Sequence, residues 1–198
     1  MNITRFCKRA NSGSLAGCLF MILLSFTRPT MAADYVHPKY DFSLIQKIAV
    51  LPLENLSQDQ QAGERVRKIV VSEILAAGVL DVVEPAQVNQ ALGQQQIQNI
   101  SNISVKQIAE LGKSLGVQAF VVGSVDTYER INVGGGTFVE VAITLRALDA
   151  VTGTVIWSTS KSAGGAGFFG RLFGFGGDTM YEATQKAVHA AVATLFKD

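Results

Sequence analysis

Histidine and cysteine side chains are the usual carriers of nucleophilic and metal chemistry, and this sequence has only two of each. The histidines are His37, in a polar stretch, and His189, on a predicted helix near the end of the chain. A catalytic triad or a metal site needs several such groups that converge in space. Neither Cys7 nor Cys18 remains if the N-terminal segment is removed on export, as argued below. The sequence therefore predicts no hydrolytic or metal site.

Two carboxylates at short spacing, Asp126 and Glu129, flank the predicted end of a strand. Paired carboxylates can divide the roles of general acid and general base when their environments separate their pKa values. At a strand end the simpler interpretation is a solvated rim of the sheet. We therefore predict a protein that is not an enzyme and that holds no cofactor.

A glycine motif at residues 165–170 reads G-x-G-x-x-G and lies between a predicted strand and a predicted helix. A dinucleotide-binding fingerprint of this kind needs a helix that opens within the motif and an acidic residue about 20 positions later, at the end of a second parallel strand. The chain is nearly over at that distance. Nucleotide binding is therefore not predicted.

The same part of the chain is the most unusual in composition, because residues 163–177 contain seven glycines and four phenylalanines. We call this stretch the Gly/Phe segment and predict that it forms a loop. One interpretation is that the loop folds its rings back over the domain. The other is an exposed apolar tip that contacts a partner protein or a membrane, since contiguous exposed apolar surface marks contact sites. The candidate contact residues are Phe168, Phe169, Arg171, Leu172, Phe173 and Phe175.

The N-terminal 33 residues have the organisation of a cleaved export signal. Three basic residues precede an apolar run at 15–26, and small residues follow up to Ala33. This order predicts a signal peptide at 1–33 and a periplasmic mature protein. Leu15-Ala16-Gly17-Cys18 also spells a lipobox, but it precedes most of the apolar run, so lipidation at Cys18 is the less favoured interpretation. Removing the segment leaves 13 basic against 16 acidic residues, a balance that does not suit a nucleic-acid binder.

Behind the segment, strand and helix patterns alternate. Residues 34–46 are predicted to be an extended lead, and residues 47–198 a single α/β domain with a mixed β-sheet flanked by helices. Ser57 with Gln60, and Ser104 with Gln107, match capping boxes at helix starts. Residues 117–125 are apolar enough for a central strand covered on both faces. The remaining predicted elements are strands at 47–53, 79–83, 138–148 and 154–159 and helices ending at Gly78, starting at Pro85, ending at Gly116 and spanning 179–196.

Three of these stretches, residues 48–55, 115–125 and 141–153, resemble the CsgG family. That family includes the curli secretion channel, and its domain type is similar to that of LpoB-type activators of penicillin-binding proteins. The resemblance covers residues 47–196 and implies an α/β sandwich of helices around a mixed sheet. It also implies work in envelope assembly or secretion through contacts with envelope proteins, without catalysis. Contact with the outer-membrane surface and with further copies of the chain would fit the same implication.

Two alternatives within the resemblance stay open. The first is a ring-forming secretion channel of the curli type, in which each protomer supplies two β-hairpins to the pore. Residues 129–137 are expected to be only a loop, and residues 163–177 are too few for two spanning strands of about 9 to 11 residues and a turn, so a pore is not favoured. The second alternative is a regulator of a peptidoglycan synthase.

Overall fold

The computed structural model describes residues 34–133, 136–164 and 178–196. The predicted signal peptide and Cys18 lie outside these residues. Four helices are described: α1 (Ala62–Ala77), α2 (Pro85–Gln94), α3 (Val105–Leu115) and α4 (Met180–Leu195). The described strands are β1 (Tyr35–Val36), β2 (Lys47–Val50), β3 (Glu54–Asn55), β4 (Asp81–Val82), β5 (Ala119–Val133), β6 (Gly136–Asp149) and β7 (Val155–Gly164). In the part of the chain that is described, no helix is long and apolar enough to span a membrane.

The seven strands form one mixed sheet in the order β1-β7-β6-β5-β2-β4, with β3 paired to β5 beside β2. β2 is parallel to both β4 and β5, whereas β5, β6 and β7 are joined as antiparallel neighbours. The helical crossovers allow the parallel pairs, and the short turns produce the antiparallel ones. The predicted fold class, a mixed sheet flanked by helices in an α/β domain, is confirmed.

The central strand β5 is covered on both faces over its first half, as its apolar sequence predicts. Phe120 and Val122 pack on one face with the apolar residues of α2 and α3. Val121 and Val125 point to the other face, where the buried sides of α1 and α4 cover the sheet. A continuous apolar run is the pattern expected of a strand buried on both sides.

Helix ends follow the sequence signals in three of four predicted cases. Gly78 and Gly116 end α1 and α3 with φ values of +68° and +64°, in the left-handed region that glycine adopts at low cost. The predicted capping box of Ser104 and Gln107 is formed at the start of α3. The capping box predicted from Ser57 and Gln60 is wrong.

The helix α1 begins at Ala62, and its N-cap residue makes no side-chain capping bond. Ser57 instead donates its hydroxyl to Asn55 Oδ1 at 2.7 Å, and Asp59 Oδ1 accepts from the backbone N–H of Gln61 at 2.9 Å. The turn between β3 and α1 therefore uses these side chains for its own hydrogen bonds. A short polar side chain has this local alternative wherever it precedes a helix.

The expectation of a mere loop at residues 129–137 is wrong as well. β5 and β6 remain paired in register through Glu129 and Glu140 as far as Val133 and Gly136. Of the three glycines that suggested a loop, Gly136 belongs to β6, and the other two lie outside the described residues. β7 ends opposite Glu140, so the last part of the β5–β6 hairpin has no third strand beside it in the described chain.

The predicted lead at 34–46 contains β1, which pairs with Ser158 and Trp157 of β7, and a single 3-10 turn at Phe42–Leu44. It is therefore tied to the sheet edge rather than extended throughout. The turn predicted at 149–153 is confirmed, with Gly153 at a φ of +68°. The adjoining strand β7 is longer than predicted and includes the first two residues of the Gly/Phe segment.

Candidate functional site

The six predicted contact residues lie outside the described residues. They are Phe168, Phe169, Arg171, Leu172, Phe173 and Phe175. The structure does describe both ends of the Gly/Phe segment, at Gly164 and at Asp178 just beyond it. The candidate site is therefore described through the surface near these two ends.

At the first end, Gly164 closes β7 opposite Glu140 of β6. Its φ is +99°, a conformation that side chains on L-residues rarely adopt. A Cβ atom at this position would lie 2.2 Å from the backbone oxygen of Val139. Only glycine therefore fits this position without a shift of the backbone, and β7 ends here.

At the second end, Thr179 caps α4 in a reciprocal arrangement. Its hydroxyl oxygen accepts from the backbone N–H of Glu182 at 3.2 Å, and Glu182 Oε2 accepts from the backbone N–H of Thr179 at 2.8 Å. These hydrogen bonds from Thr179 lower the pKa of Glu182. Lys186 Nζ also donates to Asp178 Oδ1 at 2.5 Å. The chain therefore re-enters the fold at a firmly capped helix start.

A cleft of about 720 Å³ lies between the hairpin, α1 and the start of α4. The C-terminal end of the Gly/Phe segment is next to it, whereas Gly164 lies two strands away from the lining residue Glu129. Met180 and Tyr181, which line the cleft, follow Asp178 closely, and Gly164 pairs with Glu140, whose cross-strand partner Glu129 also lines the cleft. The other described lining residues are Gln58, Asp59, Arg65, Ile69, Tyr128 and Arg130.

The cleft combines paired and unpaired charges with an exposed aromatic ring. Arg65 Nη1 lies 3.1 Å from Asp59 Oδ2, so this cation is already matched. Within the described ranges, Glu129 and Arg130 form no ion pair, and both are exposed. Tyr181 is 61% exposed. Arginine and tyrosine are the residue types that dominate binding energy at protein interfaces, so this surface suits a protein contact.

The residues considered for catalysis are not brought together. His189 Nδ1 lies 3.0 Å from Glu73 Oε2, on the exposed side of the α1–α4 contact. Its ring is 75% exposed, while His37 lies in the turn after β1. No group of three or more histidine, cysteine, aspartate or glutamate residues that could hold a metal occurs in the described part of the chain.

Asp126 is not at a strand end, so this part of the sequence interpretation is wrong. It lies inside β5, at the irregularity between Val125 and Thr127. Its carboxylate accepts from Ser124 Oγ at 2.5 Å and from Thr144 Oγ1 at 2.7 Å. The Asp126 carboxylate therefore takes part in hydrogen bonds with hydroxyl groups of the sheet, whereas Glu129 lines the cleft.

Sequence reasoning missed Arg67, which is fully buried in α1. Its Nε donates to the backbone oxygen of Val50 and its Nη1 to Asn89 Oδ1, both at 3.0 Å. Burial lowers the pKa of Arg67, although Glu64 opposes this effect from 3.5 Å. Helical spacing places Arg67 on the same buried stripe as Val70 and Ile74, and that spacing was the available signal. Arg67 ties α1 to β2 and α2.

A second missed contact joins the lead to the β6–β7 turn. Tyr40 donates its hydroxyl to Asp149 Oδ2 at 2.7 Å. Burial, together with this bond and the charge of Asp149, raises the pKa of Tyr40 above its usual value. Burial acts to raise the pKa of Asp149 too, but hydrogen bonds from Tyr40 and Thr152 outweigh it, and the pKa is lowered. This contact is structural, at the opposite end of the sheet from the cleft.

Several solved structures have a similar fold. The PelC dodecamer from Paraburkholderia phytofirmans is 17% identical, with a TM-score of 0.58, and the match covers 84% of this chain and 97% of that one. Lipoprotein GNA1162 from Neisseria meningitidis is 20% identical, with a TM-score of 0.55 and coverages of 76% and 97%. At these identities the similarity shows the fold alone.

Comparison with curated proteins finds no match. The sequence model of one family does match, over residues 40–198, which is most of the chain. Its description is "Curli production assembly/transport component CsgG". Proteins of this kind are non-catalytic envelope proteins. The resemblance noted in the sequence is therefore confirmed, and the chain belongs to the CsgG family.

Proposed function

We propose that this chain is a periplasmic, non-enzymatic protein that acts in envelope assembly or secretion by binding other envelope proteins. The Gly/Phe segment and the cleft beside its C-terminal end form the contact surface. The observation that carries the proposal is that Met180 and Tyr181, which closely follow the segment, line one cleft together with Glu129 and Arg130.

The chemistry of the segment supports a contact role. Burying one phenylalanine side chain is favourable by roughly 1.5 to 3 kcal/mol, so four rings offer a partner a large apolar gain. Arg171, together with Arg130, which forms no ion pair within the described residues, adds cations that suit acidic groups of a partner protein or lipid headgroups. The cleft beside the segment supplies the polar rim that surrounds apolar centres in protein interfaces.

Site-specific photocrosslinking tests the proposal directly. A photoreactive phenylalanine analogue at Tyr181, which is 61% exposed, is compared with the same analogue at Val151, which is 74% exposed and far from the cleft. We expect a discrete crosslinked envelope protein from the Tyr181 position in living cells and none from Val151. Equal labelling from both positions, or a chain that stays in the cytosol with residues 1–33 attached, would contradict the proposal.

One observation favours the alternative of a ring-forming secretion channel. The β5–β6 ladder continues to Val133 and Gly136, so residues 129–133 and 136–137 supply strand structure. The PelC structure is a dodecamer, which supports a homo-oligomer for this chain as part of the proposal. Liposome conductance and ring-shaped particles in electron micrographs are the measurements, and a monomer that leaves liposomes tight dismisses the channel. For the third option, a regulator of a peptidoglycan synthase, no contact in the described residues adds support.

A further inference from the structure

A second cavity, of about 640 Å³, lies at the end of the sheet opposite the hairpin. Its floor is the sheet face formed by Ile48, Ala119, Val121 and Ala147, which are 1 to 3% exposed. Val121 and Ala147 are directly opposed across β5 and β6. All four floor residues belong to the buried core, and Phe42, Leu80, Leu195 and Phe196 pack against that core around the cavity.

The cavity exists because both helices that cover this face end beside it. α1 stops at Gly78, and the next two residues, Val79 and Leu80, line one wall. α4 stops at Leu195, which lines another wall together with Phe196. The lead closes a further side with Val36, Phe42, Ser43, Ile45 and Gln46.

The polarity of the lining changes from the floor to the mouth. No charged residue is among the described lining residues, and only Ser43 and Gln46 are polar. Both of these are exposed, whereas the floor is buried and aliphatic. Val36 and Val79 are 45% and 64% exposed, so the cavity opens to solvent beside them. This gradient is complementary to a molecule with an apolar tail and a polar head.

Volume and hydrogen bonding select the kind of occupant. An apolar void of ~150 Å³ holds one benzene molecule, and this cavity is about four times larger, within the 300 to 1,000 Å³ range typical of ligand sites. A single side chain of a partner would leave most of it empty. A peptide segment would bring backbone N–H and C=O groups into walls that offer them almost no partners, which is costly.

From this geometry we infer that the cavity binds one hydrocarbon chain of a single-chain amphiphile of the fatty-acyl type. The tail lies over Ala119, Val121 and Ala147, and the polar head remains in water beside Ser43 and Gln46. The inference does not rest on the proposed contact surface, because the cavity is at the other end of the domain and shares no lining residue with the cleft.

The test uses 11-(dansylamino)undecanoic acid, below the concentration at which it forms micelles, with the full chain. Trp157 is the only tryptophan of the sequence, and it pairs in register with Val36 and Ala147, which both line the cavity. Energy transfer from Trp157 to the dansyl group therefore reports binding. We expect saturable binding of one probe per chain, displaced by myristate.

Two variants locate the bound probe. Ala147→Met fills the floor with a flexible side chain, and Val79→Asp places a charge at the exposed mouth. Each is expected to weaken probe binding at least tenfold, while the matched control Val151→Asp, also at an exposed valine but outside the cavity, stays within twofold of wild type. Ala147 is buried, so methionine there is expected to lower the urea midpoint by overpacking, whereas Val79→Asp, at an exposed position, is expected to leave it unchanged, so that its lost binding is not lost folding.

Absence of saturable binding by the wild-type chain overturns the inference. So does binding that Ala147→Met and Val79→Asp both retain, since the probe would then sit elsewhere. If photocrosslinking at Tyr181 fails but the probe binds as described, the proposed contact surface is lost and the cavity inference stands.

Discussion

The two ends of the central sheet differ in the way their side chains meet solvent. At the hairpin end, the cleft presents Glu129, Arg130 and Tyr181, and β7 ends at Gly164, two strands away from Glu129. At the other end, helices α1 and α4 stop above small residues, and an uncharged cavity remains. A single sheet can therefore carry a polar contact surface at the end where β5 and β6 extend beyond the neighbouring strands. It can carry an apolar site at the end where the covering helices α1 and α4 stop.

The largest expected effect comes from removing Arg67, which joins the layers on which both ends depend. Arg67→Ala leaves a void and deprives Val50 O and Asn89 of their donor, so we expect the free energy of unfolding to fall by about 3 to 5 kcal/mol. Arg67→Met keeps much of the volume without the buried charge and is expected to cost clearly less. Urea titration of both variants checks this. Equal losses would mean that the hydrogen bonds, not the volume, hold the layers.

A change at Gly164 should affect the hairpin end alone. Gly164→Ala forces a Cβ toward the oxygen of Val139 at a φ of +99°, and such strain costs of order 1 to 3 kcal/mol. Gly93→Ala is the matched control, because this helical glycine has open space around it and alanine favours the helix. Amide exchange should increase near Val139 and Glu140 in the first variant only. Unchanged exchange there would show that Gly164 does not fix the departure of the chain.

A smaller and pH-dependent effect is expected at the cavity end. Tyr40→Phe removes the bond to Asp149 and is expected to cost about 0.5 to 1.5 kcal/mol at neutral pH. The pKa of Asp149 is lowered in the fold, so its stabilising contribution is present above its unfolded value of about 3.9 and is lost as pH falls through the lower folded value. The difference between wild type and variant in urea titrations should therefore shrink below about pH 4. A difference that is constant with pH would contradict the assignment.

The sequence predicted the elements whose signals are local or strongly apolar. The capping residue Ser104, the stop at Gly116 and the doubly covered strand at 117–125 follow from side-chain chemistry that does not depend on distant contacts. Ser57 was misinterpreted because Asn55 and the turn around Asp59 use the same hydrogen-bonding groups. Such competition is decided by the tertiary path of the chain.

The rest depended on partners that are distant in sequence. Residues 129–137 contain three consecutive glycines that indicate a loop, yet pairing across the hairpin extends the strands around them. Arg67 was not singled out in the sequence, because its acceptors are 17 and 22 residues away. The cleft and the cavity could not be predicted at all, because each is formed by the ends of several elements that meet only in the fold.

The central claim is that the Gly/Phe segment binds a partner and does not belong to the core. The most direct measurement compares Phe168→Ser/Phe173→Ser with the control Val105→Ser/Val151→Ser, which removes two exposed valines elsewhere. Urea unfolding and association with envelope membranes and proteins are measured for both. We predict that the phenylalanine variant loses association at least tenfold while its free energy of unfolding stays within about 0.5 kcal/mol of wild type, and that the control keeps both. A loss of several kcal/mol of stability with normal association would show that the rings are core, and the claim would be wrong.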